Sequence, residues 1–380
     1  MGGPLNGLRI VEFAGLGPAP FCGMMLADHG AEVIRVDRIG AKGLVQAPQD
    51  DFLNRSRKGV AVDLKHPEGI ALARQLCRSA DAIFEGFRPG VMERLGLGPE
   101  VLLSDNPKLV YGRMTGFGQH GPYADMAGHD INYIALSGAL HACGRAGQNP
   151  TPPLNLIGDF GGGGMMLAFG LLAAIIDARE SGKGQVIDCA MTDGSAVLMS
   201  MIYSLRSQGY WADARGTNLL DTGAPFYDTF ETADGKYVSI GSVEPHFYQR
   251  MIQLIGLGSV PEMAVQNDPR RWAQQKPMIA AAILTRTRDE WCAILEGTDA
   301  CFAPVLSLDE APRHKHNVAR DAFVEVAGAM QPAPAPRFSR TEPGVPQPMT
   351  VGADVTAALL RDIGISEMDI LRLRRENIAA

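Results

Sequence analysis

Residues 8–37 read LRIVEFAGLGPAPFCGMMLADHGAEVIRVD. The run 8–14 is apolar and of strand length, 15–20 is a loop, 21–30 is helix-like and closed by a glycine, and 31–37 is a second strand ending in an acid. This βαβ pattern predicts a Rossmann-like, largely parallel sheet. A dinucleotide fingerprint is nevertheless incomplete. After Gly15 and Gly17 the third glycine is replaced by Pro20, and Pro18 and Pro20 both lack the N–H groups that would cradle a pyrophosphate. Nicotinamide binding is therefore disfavoured.

The same alternation continues outward. Strand-like runs recur in GVAVDLK (59–65), DAIFEGF (81–87), KLVYGRMTGFG (108–118) and GKGQVIDCAMTDG (182–194), with a helical pattern between the first two. From Gly194 to about Ala212 a long helix is expected. The character then changes: PFYDTFETADGKYVSIGS alternates apolar and polar residues about Asp234-Gly235, a hairpin signal, and amphipathic helices follow. QPAPAPRFSRTEPGVPQP cannot form a regular helix, and a final helix is expected over about 353–377. The organisation predicted is an α/β large domain of 1–190 with 330–380, a linker helix 191–224, a small α+β domain 225–315, and a return linker 316–329.

With 380 residues, 46% hydrophobic and 20% charged, the chain can build two cores. A net charge of −7 argues against nucleic acid as a partner, since phosphate backbones are met by basic surfaces. No apolar run reaches about 18 residues, and a secretion signal is not evident, so no membrane is expected. The six cysteines are scattered without a C-x-x-C pair. A soluble cytoplasmic enzyme with reduced thiols and no structural zinc is the expectation.

Within AGHDINY (127–133), His129 follows a glycine at a helix start, where free N–H groups and a positive dipole end could hold an oxyanion. Asp130 is an ordinary first-turn acid whose backbone matters more than its side chain. Asp159, in NLIGDFGGGGMM, reads as a carboxyl at a strand end facing a glycine-lined gap, where burial would raise its pKa. No V-A-I-K or H-R-D accompanies that DFG, so a kinase is rejected. Arg38, Lys65, Arg88 and Arg94 all fall at strand ends or the turns after them, the side on which open α/β sheets bind ligands.

Taken in order and spacing, GLRIVEFAGLGPAPFCGMMLADHGAEVIRVDR, VDLKHPEG, FRPGVMERLGLGP, YGRMTGFGQHGP, AGHDINYIALSG, PPLNLIGDFGGGG, SGKGQVIDCAMTDG and APRFSRT resemble the family III CoA transferases over nearly the whole chain. The histidine in GHDINY places the likeness in the branch that racemises 2-methylacyl-CoA thioesters. Residues 40–53 and the tail after 345 carry no family pattern. The resemblance implies His129 and Asp159 as catalytic acid/bases and Glu244 as the acid that orients the histidine. It assigns CoA to Arg38, to the turn Val62, Asp63, Leu64 and Lys65, to Arg88 and Arg94, and to the backbone of Gly128, Asp130, Ile131, Asn132 and Tyr133. Met165 and Met166 match a surface beside the acyl chain. It further implies an interlocked homodimer with the active site shared between chains, and no cofactor beyond the CoA of the substrate.

On that reading the enzyme moves the α-proton of the thioester from one face to the other through an enolate, with the Asp130 N–H as donor to the enolate oxygen. Three rivals are a CoA transferase using Asp159 as nucleophile, a non-catalytic acyl-CoA binding protein, and a nicotinamide dehydrogenase. The first does not need His129, the second does not need the acid/base set, and the third needs a glycine at Pro20.

Overall fold

The computed structural model describes residues 2–40 and 50–380; 41–49, within the 40–53 stretch that lacks the family pattern, lie outside them. Contacts divide the chain into two units. The first holds the chain up to Ser137, then Leu154–Leu198 and Ala319–Ala380; the second holds Gly138–Pro153 and Met199–Val318.

In chain order the strands are β1 (Arg9–Phe13), β2 (Glu32–Arg38), β3 (Lys58–Val62), β4 (Ala82–Glu85), β5 (Val110–Thr115), β6 (Val186–Ala190), β7 (Tyr227–Glu231), β8 (Tyr237–Gly241), β9 (Phe302–Pro304), β10 (Phe323–Val326) and β11 (Ala329–Pro332). The helices begin with α1 (Pro18–Asp28), α2 (Pro67–Arg78), α3 (Val91–Arg94), α4 (Pro99–Asp105), α5 (Asp130–Leu136), α6 (Ala139–Ala142), α7 (Met166–Ser181), α8 (Met191–Leu198) and α9 (Ser200–Ser207). They continue with α10 (Pro245–Leu254), α11 (Pro269–Ile283), α12 (Arg288–Leu295), α13 (Lys315–Ala319), α14 (Ala353–Asp362) and α15 (Glu367–Arg375).

The first unit is built on a parallel sheet of order β3-β2-β1-β4-β5-β6. Its strands are covered on both faces, as parallel sheets require. The two-residue period is visible along β1: Val11 and Phe13 join one core with Ile34, Leu72 and Tyr111, and Ile10 joins the other with Leu26, Phe84 and Leu171. The chain reverses direction across the sheet between β1 and β4. In open α/β sheets that switch point, at the carboxyl ends of the strands, is where ligands bind.

A buried charge sits inside β1. Glu12 is fully buried and paired with Arg35 at 2.8 Å and with Arg57; Arg57 also donates to the Pro20 carbonyl at 2.5 Å. Two arginines from β2 and the edge of β3 thus tie the first turn of α1 to the sheet.

The second unit carries the antiparallel sheet β7-β8-β9 and a core of Phe226, Tyr248, Met251, Trp272 and Trp291. The fold class expected from the sequence, an α/β sheet with a small α+β module, is the one observed.

Four local expectations are corrected. Helix α1 begins at Pro18, not at Phe21, because proline suits the first helical position, where its missing N–H costs nothing. The long helix over 194–212, and with it the linker helix 191–224, is two helices: α8 leaves β6 directly, the chain breaks at Met199, and α9 ends before Gly209, which has φ +78°. The final helix is also two, separated at Gly364 (φ +87°), with Ser366 capping α15. The stretch read as a strand before Asp159 is helical: Leu156–Met165 forms a wide π-helix that runs on into α7.

That continuous helix, Leu156–Ser181, spans 26 residues and is long and apolar enough to cross a bilayer by length and composition, although no uninterrupted apolar run in the sequence is. Leu167, Leu171, Ala174, Ile175 and Ala178 are buried in the first unit's core, while Phe169 and Ile176 face outward.

Candidate active site

Single π-turns are rare and recur at functional sites; ten residues of π-helix need an explanation. The glycines supply it. A Cβ on Gly158 would come within 2.5 Å of Asp130 Oδ1, one on Gly162 within 2.6 Å of the Ser195 amide, and one on Gly163 within 2.9 Å of Pro18. A Cβ on Gly164 would meet Phe21 and the Pro18 carbonyl at 2.7 Å. The segment is therefore wedged between α1, α5 and α8 at distances only glycine permits, and Asp159 is carried on a backbone fixed from three sides.

Asp159 is half-buried and its surroundings are specific. Its amide donates to Asp130 Oδ1 at 2.7 Å, and Asn155 Nδ2 donates to its Oδ2 at 3.0 Å. On another side lies Gly17, in the loop that follows β1; a Cβ there would stand 3.1 Å from Asp159 Oδ2, and its φ of +67° with ψ −111° is glycine territory. Asp159 thus lies at the carboxyl end of β1, beside the switch point. Burial raises its pKa above the usual carboxylate value; the Asn155 hydrogen bond opposes this, the Asp130 charge adds to it, and His129 lowers it.

His129 is exposed and precedes α5 with extended backbone (φ −132°, ψ 175°). The Tyr133 hydroxyl donates to the Gly128 carbonyl, the Tyr133 ring stacks edge-on against Phe117 at 5.0 Å, and Asn132 Oδ1 accepts the His129 amide at 3.0 Å. A Cβ at Gly128 would strike the Tyr133 ring, so the residue before the histidine must be small. Burial, with Asp159 and Asp130 nearby, raises the pKa of Tyr133 and keeps it a neutral donor. The amides of Asp130 and Ile131, first in α5, have no acceptor among the described residues.

The structure therefore brings His129, Asp130, Tyr133 and Asp159 together in the first unit. Glu244 lies in the second unit, exposed at the start of α10; its carbonyl accepts the Tyr248 amide at 2.9 Å, and its carboxylate has no hydrogen bond or ion pair among the described residues. Met165 is 46% exposed, whereas Met166 packs against the core. Arg38 ends β2, Lys65 follows β3, and Arg88 and Arg94 follow β4. All four are exposed and none forms an ion pair among the described residues, unlike Arg35, Arg55, Arg57, Arg74, Arg78 and Arg113 around them. Four unpaired cations at the carboxyl rim of a parallel sheet suit a ligand with several phosphates. In the turn between β3 and α2, Val62 is fully buried and Leu64 packs on the core; Asp63 Oδ1 accepts the Lys65 amide at 2.9 Å. Only backbone and the Lys65 side chain there can face a ligand.

Two contributors were not foreseen. The Asp130 side chain, read as a helix-dipole acid, holds the Asp159 amide, and no local pattern links residues 29 apart. Asn155 stands four before Asp159, a spacing that would have paired them had the segment been read as helix.

The model of CoA-transferase family III matches residues 5–354. The chain is 47% identical to alpha-methylacyl-CoA racemase of Mus musculus and 44% identical to that of Homo sapiens, in each case over 98% of this chain and 97% of the relative. Its fold superposes on a crystal structure of a CAIB/BAIF family protein from Brucella suis with a TM-score of 0.82, covering 96% of this chain and all of that one at 24% identity.

Proposed function

The chain belongs to CoA-transferase family III, and we propose from its likeness to two racemases that it interconverts the 2R and 2S forms of 2-methylacyl-CoA thioesters. The observation that carries the reading is the hydrogen bond from the Asp159 amide to Asp130 Oδ1, which ties the residue after His129 to a half-buried carboxyl whose pKa is raised by burial.

In one direction the neutral imidazole takes the α-proton, the C–H electron pair moves onto the thioester oxygen, and the Asp159 carboxylic acid returns a proton to the opposite face. In the other direction the roles exchange. Each positioned proton transfer is worth roughly 10² to 10⁴-fold. Preorganised donors to the enolate oxygen add roughly 10² to 10³-fold each, and the free Asp130 amide at the head of α5 is the donor we assign. Because Asp159 Oδ2 accepts from Asn155, Oδ1 is the oxygen that carries the proton. The reaction needs no cofactor beyond the CoA of the substrate.

Arg38, Lys65, Arg88 and Arg94 bind the CoA phosphates in this reading, and Met165 borders the acyl chain. Glu244 orients the histidine across an interlocked homodimer, a role supported by the exposure of its carboxylate and its lack of a hydrogen bond or ion pair among the described residues. Exposed Phe169, Ile176 and Tyr210 give such a dimer apolar surface to cover. Six free cysteines suit a reducing, cytoplasmic setting, without a membrane or nucleic acid as partner.

The test is chiral analysis of a single 2-methylacyl-CoA enantiomer incubated with the protein. Epimerisation without an acceptor acid supports a racemase. Formation of a new CoA ester only when a free carboxylic acid is added, with Asp159 acylated, makes it a transferase.

A further inference from the structure

Arg88 and Arg94 sit on one excursion that leaves β4 and ends with α3. That helix is a single turn, too short to hold itself, so the two guanidinium groups are placed by tertiary anchors. One anchor is Met92, 1% exposed in the core. The other is ionic and comes from β5. Arg113 grips Glu93 with both terminal nitrogens, Nη1 to Oε1 at 2.8 Å and Nη2 to Oε2 at 3.2 Å, and its Nε reaches Glu85 Oε1 at 3.3 Å. Glu85 Oε2 in turn accepts the Phe87 amide at 2.6 Å. Phe87 precedes Arg88 and Glu93 precedes Arg94, so one guanidinium fastens the residue before each free cation.

The fork does more than hold the fold together. The Glu93 side chain is 45% exposed, and half-exposed ion pairs of this kind add little to stability. A bidentate fork does fix direction, and two cations meeting phosphates on one ligand depend on their spacing. Glu85, buried at the end of β4, has its pKa pushed up to about 7 by burial, against the pull of the Phe87 amide and Arg113. It can therefore take a proton rather than stand as an uncompensated charge when Arg113 is replaced.

We infer that Arg113, acting through Glu85 and Glu93, is a positioning residue that sets the spacing of Arg88 and Arg94 and hence the affinity for the phosphate end of the CoA thioester. The inference rests on the reading that those two arginines bind CoA. Arg113 makes its side-chain hydrogen bonds to Glu85 and Glu93, not to His129 or Asp159, among the described residues.

The experiment compares kcat and KM for a 2-methylacyl-CoA and for the matching acyl-pantetheine, which lacks the nucleotide. The proteins are the wild type, Arg88→Ala, Arg94→Ala, Glu93→Gln, Arg113→Gln and the double variant of the last two. Glu93→Gln and Arg113→Gln are expected to raise KM for the CoA ester by roughly 3–30-fold, with kcat within about twofold and kcat/KM for the pantetheine ester unchanged. The double variant is expected to be no worse than Arg113→Gln, because both cut the same tie. If Arg88→Ala and Arg94→Ala leave KM for the CoA ester unchanged, the CoA-site reading fails. If those two raise it while Glu93→Gln and Arg113→Gln do not, the positioning inference is overturned. Equal losses on both esters also overturn it, since they mark a general effect on the fold. Should Arg113→Gln not fold, the half-exposed Glu93→Gln decides alone.

Discussion

Asp130 Oδ1 accepts the amide hydrogen of Asp159 at 2.7 Å, so the residue after His129 holds the backbone of the other proposed proton-transfer group. His129 immediately precedes α5 and Asp159 lies in the π-helix, and this hydrogen bond, from the Asp159 amide to the Asp130 side chain, ties the two segments together. Asp130 is 5% exposed and its second oxygen, Oδ2, has no hydrogen-bond partner among the described residues, a cost tolerated where the carboxylate is needed in one orientation.

Removing that link is expected to damage catalysis more than folding. In Asp130→Ala the Asp159 amide loses its acceptor, a loss of about 1–3 kcal/mol, which corresponds to roughly 5–150-fold in kcat if it is expressed at the transition state. Steady-state kinetics beside a thermal melt separates the two effects. A kcat unchanged from wild type would show that the hydrogen bond does not position Asp159.

Asp130→Asn keeps an acceptor oxygen and removes a charge. The Asp130 carboxylate raises the Asp159 pKa, so its loss lowers that pKa and moves the alkaline limb of the pH–rate profile to lower pH. The Asn155 hydrogen bond acts in the opposite sense. Asn155→Ala is therefore expected to move the same limb to higher pH. Shifts of one sign in both variants would contradict the assignment of that limb to Asp159.

Glycine packing around the π-helix gives a stability prediction. A methyl at Gly194 would overlap the Gly162 carbonyl, backbone against backbone, with no flexible side chain to yield. Gly194→Ala is expected to cost about 1–3 kcal/mol or more, lowering Tm by several degrees and reducing activity with it. Gly344→Ala, with nothing within 4 Å of the new Cβ, is the control and is expected to be silent. A melt of Gly194→Ala that matches wild type would show that the helices can part at no cost.

The βαβ reading of residues 8–37 carried the first unit because β1 and β2 are short apolar runs whose period and loop are local features. The split of the 353–377 helix was visible in principle at Gly364, whereas the break at Met199 has no such marker and follows from α8 packing on the glycine helix. Asp159 was singled out as a carboxyl in a glycine-lined place, but its element was misread. Four consecutive glycines argue against a helix by propensity, and tertiary packing against α1, α5 and α8 reverses that preference. The roles of the Asp130 side chain and Arg113 depend on partners 20 to 29 residues away, beyond any periodic signal. The unpaired state of Arg38, Lys65, Arg88 and Arg94 is likewise a tertiary fact, because the sequence shows only where cations stand, not which acids reach them.

His129 and Asp159 are proposed to serve opposite faces of one α-carbon. The most direct test is proton NMR in D₂O of each 2-methylacyl-CoA enantiomer, with wild type, His129→Ala and Asp159→Asn. Wild type is expected to exchange and epimerise both, each variant is expected to abolish epimerisation, and each is expected to keep α-proton exchange for one enantiomer only, the two variants choosing opposite ones. Epimerisation by either variant, or retention of the same enantiomer's exchange by both, would contradict the proposal.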